Sequence, residues 1–474
     1  MWIIQEVVAP QSVVLHYDSI YIDWSRFANA MRVLSSHGLR NFPILLADRE
    51  RKGRSSNADN HNAATFSSTS LRNIDNALVM ESLRQLYGGY RAYQVGKTSR
   101  RFLPLEDVLQ LCLRFDSTLA VDRLFALMGL VNEEDRGGII PDYTKTPEAV
   151  VKAFTRAASV VLRKPNPFRG LRFAGVGRDQ RIIGLPSWAP DWTAGIQAAI
   201  LSHGDDQSDY KASLDTVPRL EFAEELRTVR CFGIVFDKVN ALGDIFRGTP
   251  TPKHHQFRDS LCLLQHLCSP NHRYSKGRCN GQSLDEAFYR TLIGDTDPIQ
   301  KKRPAPDATE HSFLAYWKST IINAETALSD DLSSERREEI LSARRNVGFA
   351  DNDDNLFAHM LSTDLARQHP DKWDGFTSIF RPDPSRTAFF HDNALMAFGR
   401  RMCVSEKGYV GLVPANTAVG DQIAILAGAG TPYLLRETGG KRLLVGECYI
   451  HGAMDGEVFE EAGGVKALRP IILS

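Results

Sequence analysis

The stretch GRRMCVSEKGYVGLVPANTAVGDQIAILAGAGTPYLLR, residues 399–436, decides the fold of the C-terminal part of this chain. Met402 to Val404, Val410 to Val413, Gln422 to Leu426 and Tyr433 to Arg436 are short apolar or alternating runs, and the pattern returns at Leu443 to His451. Turns rich in glycine separate them: EKG at 406–408, GAGT at 428–431 and TGGK at 438–441. Strands repeating every ~8–12 residues between glycine turns predict a small antiparallel, barrel-like β region over 396–474. Gly428-Ala429-Gly430 reads as a hairpin connection, because glycine reaches the positive φ that tight strand turns require.

Outward from this region the chain becomes helical. In LEDVLQLCLRFDS (105–117), Leu105, Val108, Leu109, Cys112 and Leu113 recur at the spacing of one helix face. A second helix, VDRLFALMGL (121–130), meets its break at EEDRGG (133–138). In IIPDYTKTPEAVVKAF (139–154), Thr146 is placed to cap a helix whose first residue is Pro147. LPSWAPDWT (185–193) reads as a proline- and aromatic-punctuated crossing. At the N-terminus, Val13, Val14 and Leu15 read as a short buried strand, and Trp24, Phe27, Ala28 and Met31 as a helix capped by Asp23. The polar run Asp48 to Asn73 has too few large apolar residues to offset ordering entropy, so it reads as a loop or insertion. Segments 202–218, 296–310 and 328–355 read the same way.

These readings predict an α+β chain: a truncated α/β remnant, a mainly helical middle and a small antiparallel β-barrel-like C-terminal region. The expected divisions are 1–110, 111–395 and 396–474. The chain has 474 residues, with 57 Lys+Arg against 57 Asp+Glu. Zero net charge supplies no overall positive field, so nucleic acid held by bulk electrostatics is excluded as the expected partner. Seven cysteines, an odd number scattered over a long chain, predict reduced thiols, and no Asn-x-Ser/Thr acceptor occurs. No apolar run reaches the ~20 residues of a membrane span, and Gln5 and Glu6 interrupt the apolar N-terminus. The cytoplasm is the expected location.

Chemical motifs are approached but not completed. Gly96-Lys97-Thr98 resembles the end of a phosphate loop, yet Arg91 stands where the first glycine belongs. Gly175-Val176-Gly177 lacks the third glycine of a dinucleotide fingerprint and reads as a turn. His254, His255, Cys262, His266, Cys268, His272 and Cys279 are zinc-ligating residue types, but their spacing shows no paired C-x-x-C; packed thiols are the expectation. His451, Asp455 and Glu457 could suggest acid–base work or metal binding, but Gly452, Asp455 and Gly456 read as a turn closing a strand. Trp188, Asp191 and Trp192 read as a packing corner. Tyr409, Tyr433 and Tyr449 are candidate ligand contacts for the β region, though tyrosines at a sheet rim more often pack and hydrogen-bond. No residue is assigned as catalytic, cofactor-binding or metal-ligating, and no cofactor is expected.

Taken in order, several of these segments resemble fungal heterokaryon-incompatibility (HET) domain proteins. WIIQEVVAP (2–10) resembles the Trp-x-x-Gln-Glu motif that ends the HET domain. VDRLFALMGL with IIPDYTKTPEAV, LPSWAPDW, FYRTLIGD (288–295), the 399–436 stretch and VGECYIHGAMDGE (445–457) resemble elements that follow it. Val121 departs from the arginine usual at its position. The resemblance implies that the chain lacks most of the N-terminal HET domain. It further implies non-self recognition through protein partners of unknown identity, triggering or modulating cell death without catalysis in this form. The alternative it implies is the C-terminal part of an NAD-hydrolase-like enzyme whose catalytic half is missing. Apolar surface is then expected at the Trp2-Ile3-Ile4 edge.

Overall fold

The computed structural model describes residues 3–36, 75–88, 103–144, 146–179, 182–194, 201, 210–246, 273–274, 276–279, 281–297, 303–306, 309 and 394–474. The expected loop at Asp48 to Asn73, the segment 328–355 and the His254 to His272 part of the zinc-type cluster lie outside these residues.

The N-terminal unit is a helix, an antiparallel hairpin and a second helix. Ile3–Val8 is helical and not a sheet edge; it buries Ile4, Val7 and Val8, whereas Ile3 is 55% exposed as apolar surface and Trp2 lies outside the described residues. Strand β1, Val14–Tyr17, pairs antiparallel with β2, Ile20–Asp23, around Asp18 at φ 52°. The expected buried strand is instead a largely exposed hairpin: Val13 and Leu15 pack only partly against Val7, Trp24 and Ala28, while Tyr17 is 82% and Tyr21 71% exposed. The expected cap is in place, with Asp23 Oδ1 accepting from Ser25 N (2.8 Å) and Ser25 Oγ (2.5 Å). Helix Trp24–Ser36 is held to helix 75–88 by Trp24 Nε1 donating to Glu81 Oε2 (2.7 Å). Arg84 donates to the carbonyls of Pro10 (2.7 Å) and Gln11 (2.6 Å), fixing the chain between the first helix and the hairpin.

The helical centre follows the sequence reading with shorter elements. Leu105–Leu111 is helical, and the Cys112–Asp116 continuation turns away. Asp122–Phe125 is a single turn followed by a tight 3₁₀ turn at Met128–Leu130. Asp135 organises this region: its carboxylate accepts from Leu105 N (3.1 Å), Asn132 Nδ2 (3.0 Å) and Lys164 Nζ. Helix Pro147–Leu162 begins as expected, with Thr146 Oγ1 accepting from Ala149 N (3.2 Å). Its inner face buries Phe154, Val161 and Leu162, each contributing about 2 kcal/mol from apolar area removed from water.

The dominant element of the molecule is a strand inside the expected helical middle. After the short β3, Glu221–Phe222, strand β4 runs for 17 residues, Val229–Ile245. Its sequence, VRCFGIVFDKVNALGDI, alternates buried Val229, Cys231 and Gly233 with exposed or half-buried neighbours, the two-residue period of a strand with unlike faces. Beyond the small pair β5, Arg273–Tyr274, and β6, Gln282–Ser283, helix Leu284–Leu292 leads towards the C-terminal strands. These are β7 (Arg400–Ser405), β8 (Val410–Pro414), β9 (Gln422–Leu426), β10 (Tyr433–Thr438), β11 (Lys441–Glu447), β12 (Tyr449–Ile450) and β13 (Arg469–Leu473). All five runs expected between Met402 and His451 are strands, and the β9–β10 hairpin spans the glycine connection as read.

Together with β3 and β4 they form one sheet, in the order β12-β8-β7-β4-β13-β11-β10-β9, with β3 also on β4. Along its length β4 pairs with β13 at Val229–Gly233, with β9 at Gly233–Lys238 and with β7 at Val239–Ile245. Irregular register near Val235 to Asp237 and Val239 to Ala241 accompanies the change of partner, where bulges let a strand bend. The helical centre packs on this sheet through one core that joins Leu105, Phe154, Leu162 and Trp188 to Tyr433, Leu444, Ile471 and Leu473.

LPSWAPDWT is the corner between the two halves. Ser187 Oγ accepts from the buried Leu444 N (2.9 Å), and both Ser187 N (3.1 Å) and its hydroxyl donate to Ser474 O. Asp191 accepts from Ile182 N (3.0 Å), Thr193 N (2.9 Å) and Thr193 Oγ1 (2.5 Å), and Trp192 packs on Phe154 at 5.9 Å. The packing-corner reading of Trp188, Asp191 and Trp192 holds. Replacing Ser187 by Ala strands the Leu444 amide in a dry interior, so S187A is expected to lose about 1–3 kcal/mol of stability. Urea unfolding of wild type and variant checks this, and equal midpoints would count against the clamp.

Candidate functional site

Two buried polar clusters occupy the C-terminal sheet, and they differ in whether they open to solvent. The first centres on His451, at the end of β12 and fully buried. Its Nε2 faces Gln282 Oε1 at 2.7 Å, an acceptor, so the proton resides on Nε2; Nδ1 then accepts from the Tyr449 hydroxyl at 2.8 Å. The His451 carbonyl accepts from Tyr274 Oη (2.6 Å). Burial, reinforced by the positive charges of Arg290 and Arg303, drives the imidazole pKa down to about 3.

Around it, one ion pair ties Arg303 to the 445–457 segment and others hold Arg290 of FYRTLIGD to its own neighbourhood. Arg303 grips Asp455 with two bonds, 2.8 and 3.2 Å, and lies over the Tyr210 ring at 4.3 Å. Arg290 donates to Glu286 (2.9 Å), Asp295 (2.7 Å) and the Ala305 carbonyl (2.7 Å). Asp455 N donates to Glu457 Oε2 (2.8 Å), closing the turn expected at Gly452 to Gly456. His451 is therefore a neutral, doubly hydrogen-bonded core residue, while Asp455 and Glu457 hold a turn. This arrangement suits a structural histidine, because an acid–base group needs a pKa near the working pH and access to a substrate.

The second cluster lies where β7, β10 and β11 meet the helical centre. Arg400, 1% exposed, donates through Nη1 to the Glu447 carbonyl and through Nη2 to Glu447 Oε1, both at 2.9 Å. Arg172, also buried, reaches Gln110 Oε1 (3.0 Å) and covers the Phe173 ring. Tyr433 is buried beside them, and desolvation together with the Glu447 charge pushes its phenol well above the usual range. Among the candidate tyrosines, Tyr433 and Tyr449 are buried in hydrophobic clusters, and Tyr409 packs edge-on against Phe236 at 5.7 Å.

The turn read at Gly175-Val176-Gly177 delivers a further arginine to this cluster. Val176 N and Gly177 N donate to the Leu444 and Val445 carbonyls of β11, at 2.9 and 2.8 Å. The approach is so close that a Cβ on Gly175, itself at φ +116°, would sit 2.2 Å from the Val445 oxygen; one on Gly177 would sit 2.5 Å from it. Both glycines are required by backbone contact with a strand, without any phosphate. The next residue, Arg178, lines a narrow pocket with Leu113, Phe173, Gly175, Asp179, Asp191 and Ala194. Sequence reading missed this pocket, since Gly175 and Val445 are far apart in the chain and no local pattern joins them.

The described cysteines are free, and burial pushes Cys112, Cys231 and Cys403 up to about 12, which leaves them as protonated packing groups. Cys279, the member of the zinc-type cluster within the described residues, has its thiol raised likewise. Among the described residues no group of three or more His, Cys, Asp and Glu is placed to hold a metal ion, and no helix is long and apolar enough to cross a membrane.

Comparison with known proteins gives two matches. Residues 381–464 match the Het-6 beta-barrel domain family. Over 374 residues the chain is 24% identical to heterokaryon incompatibility protein 6, OR allele, of Neurospora crassa, an alignment covering 72% of this chain and 49% of that relative. The chain thus spans about half the length of the curated relative it matches. No solved structure matches. The resemblance read from the motifs is borne out by both matches. The family match leaves out β4 and β13, yet both are hydrogen-bonded members of the same sheet.

Two measurements test the clusters. A histidine whose folded pKa of about 3 lies below its unfolded ~6.5 stabilises the fold fully above pH 6.5, and that contribution is lost as pH falls towards 3. Between pH 7 and 5 the loss is expected to be about 2 kcal/mol in wild type and absent from H451Q, by urea unfolding at each pH. Replacing Glu447 by Gln leaves Arg400 charged and buried beside a neutral amide, and is expected to cost about 3–5 kcal/mol. A Tm within one degree of wild type in E447Q would show that the pair contributes little.

Proposed function

We propose that this chain acts in fungal heterokaryon incompatibility, as a non-self recognition protein that works in the cytoplasm through contacts with other proteins and so triggers or modulates cell death. The observation that carries the reading is the alignment with the Neurospora incompatibility protein, whose 374 residues run well beyond the C-terminal domain match. A 374-residue alignment cannot be confined to 381–464, so it includes more than the β region alone.

Action by contact draws support from the surface. The β1–β2 hairpin presents Val14, Tyr17, Ile20, Tyr21 and Ile22 to solvent on a two-stranded ribbon. Apolar and aromatic groups concentrated on one exposed element mark interaction surfaces in soluble proteins. Tyrosine in particular offers a large contact area and a hydroxyl at small entropic cost.

The reading is tested by expressing the chain in a filamentous fungus and scoring the viability of heterokaryons formed with a panel of genetically distinct strains. At least one pairing is expected to lose viability, and Y17S/Y21S is expected to restore it while the protein remains folded and abundant. Uniform viability across the panel would contradict the role in incompatibility. Loss of viability that Y17S/Y21S leaves untouched would contradict the role of the hairpin.

A further inference from the structure

We infer that the β5–β6 hairpin is an acid-released flap, latched over the end of β12 by the neutral ring of His451. The inference rests on the packing around that ring and does not depend on the role in incompatibility. β5 and β6 pair with each other through Arg273↔Ser283 and Tyr274↔Gln282, and among the described residues neither joins the large sheet. So short a ribbon does not hold a position in water by itself, and the hairpin stays where its side chains anchor it.

Those anchors converge on His451. Tyr274 Oη donates to the His451 carbonyl (2.6 Å) and accepts from Val410 N of β8 (3.2 Å). Gln282 Oε1 accepts from His451 Nε2 (2.7 Å), so both strands of the hairpin hold the same residue. At the hairpin tip, Lys276 Nζ lies 5.3 Å over the Tyr409 ring, and a Cβ on Gly277 would sit 2.4 Å from the Gly452 oxygen. β6 runs straight into helix Leu284–Leu292, which is fastened by buried Ala287, Phe288 and Leu292. The hinge therefore falls between Ser283 and Leu284.

The closed arrangement has no place for a second ring proton. Nδ1 already accepts from the hydroxyl of the fully buried Tyr449, and an Nδ1–H would force that hydroxyl to turn its own hydrogen into a dry interior. Arg290 and Arg303 add positive charge on the same side. The nearby acids are engaged elsewhere: Glu286 and Asp295 hold Arg290, Asp455 holds Arg303, and Glu457 accepts from Asp455 N. Tyr449 and Cys279 are kept protonated by burial, and Tyr210, packed on Tyr449, donates to the Gly294 carbonyl (2.7 Å). Burial also raises the Asp295 carboxyl, which makes it the competing acid-sensitive group. Lifting Tyr274 and Gln282 away lets water reach the ring, so the open form binds the proton better and opening is favoured as pH falls.

The test is hydrogen exchange of the full chain at pH 7 and pH 5, resolved to single residues and corrected for the intrinsic exchange rate. The Val410 amide, held by the Tyr274 hydroxyl, reports the flap, and the amides of Gln422–Leu426 report the sheet. A ring that moves from about 3 when covered to ~6.5 when uncovered gives a rise of about 25-fold in the opening constant at Val410 between pH 7 and pH 5. Opening there is expected to need less free energy than opening of β9 and to be insensitive to low urea, as a local event is. H451Q, which keeps Asp295, is expected to lose the rise. A change below twofold in wild type, a rise that H451Q retains, or equal opening free energies at Val410 and β9 at both pH values overturns the inference. Should H451Q fail to fold, Q282E decides: its carboxylate accommodates an imidazolium in the closed form, so a smaller rise than wild type is expected. A rise in Q282E as large as that of wild type overturns the inference.

Discussion

The structure depends on satisfying the backbone of one long strand. Seventeen consecutive residues of β4 carry N–H and C=O groups on two edges, and a buried backbone group without a partner costs roughly what a lost hydrogen bond costs. No neighbour in sequence supplies those partners beyond the two residues of β3. They come from β7, β9 and β13, which lie some 150 to 240 residues downstream in a chain whose intervening segment must close the loop. The C-terminal strands and the strand at 229–245 accordingly form one sheet, although sequence divides them.

Once β4 fixes that sheet, the helical centre has a surface to pack against. Three contacts secure it: the Ser187 hydroxyl on the Leu444 amide, the Gly175–Gly177 backbone on β11, and the shared core through Phe154 and Tyr433. The two polar clusters sit in the seams this creates. The His451 cluster is closed by aromatic groups and ion pairs, so its histidine remains neutral and structural. The Arg400–Glu447 cluster borders a seam that opens to solvent at Arg178. One architecture thus produces a dry polar core and an accessible one, and the difference lies in which element covers each.

Much of the C-terminal half was legible because its signals are local. Alternating runs with glycine turns identified five strands, and Thr146-Pro147 marked a helix start that the Ala149 amide confirms. β4 was not legible in the same way: its alternation is interrupted at Phe236-Asp237, where the register shifts, and its partners lie too far away to leave a hairpin signature. The N-terminal hairpin misled for the opposite reason, since Val13, Val14 and Leu15 have strand propensity but only Val13 and Leu15 find apolar neighbours, and those cover them only in part. Gly175 and Gly177 were rightly separated from nucleotide binding, yet what demands them is a carbonyl 270 residues away at Val445.

Native-state hydrogen exchange on the intact chain tests the dependence on β4 most directly. The amides of Val229–Ile245 are expected to open with the same free energy as those of Gln422–Leu426 and Arg469–Leu473, as one cooperative unit near the global stability. Fast exchange throughout β4 while β9, β10 and β11 stay protected would contradict the account, because the C-terminal strands would then form a stable sheet without it.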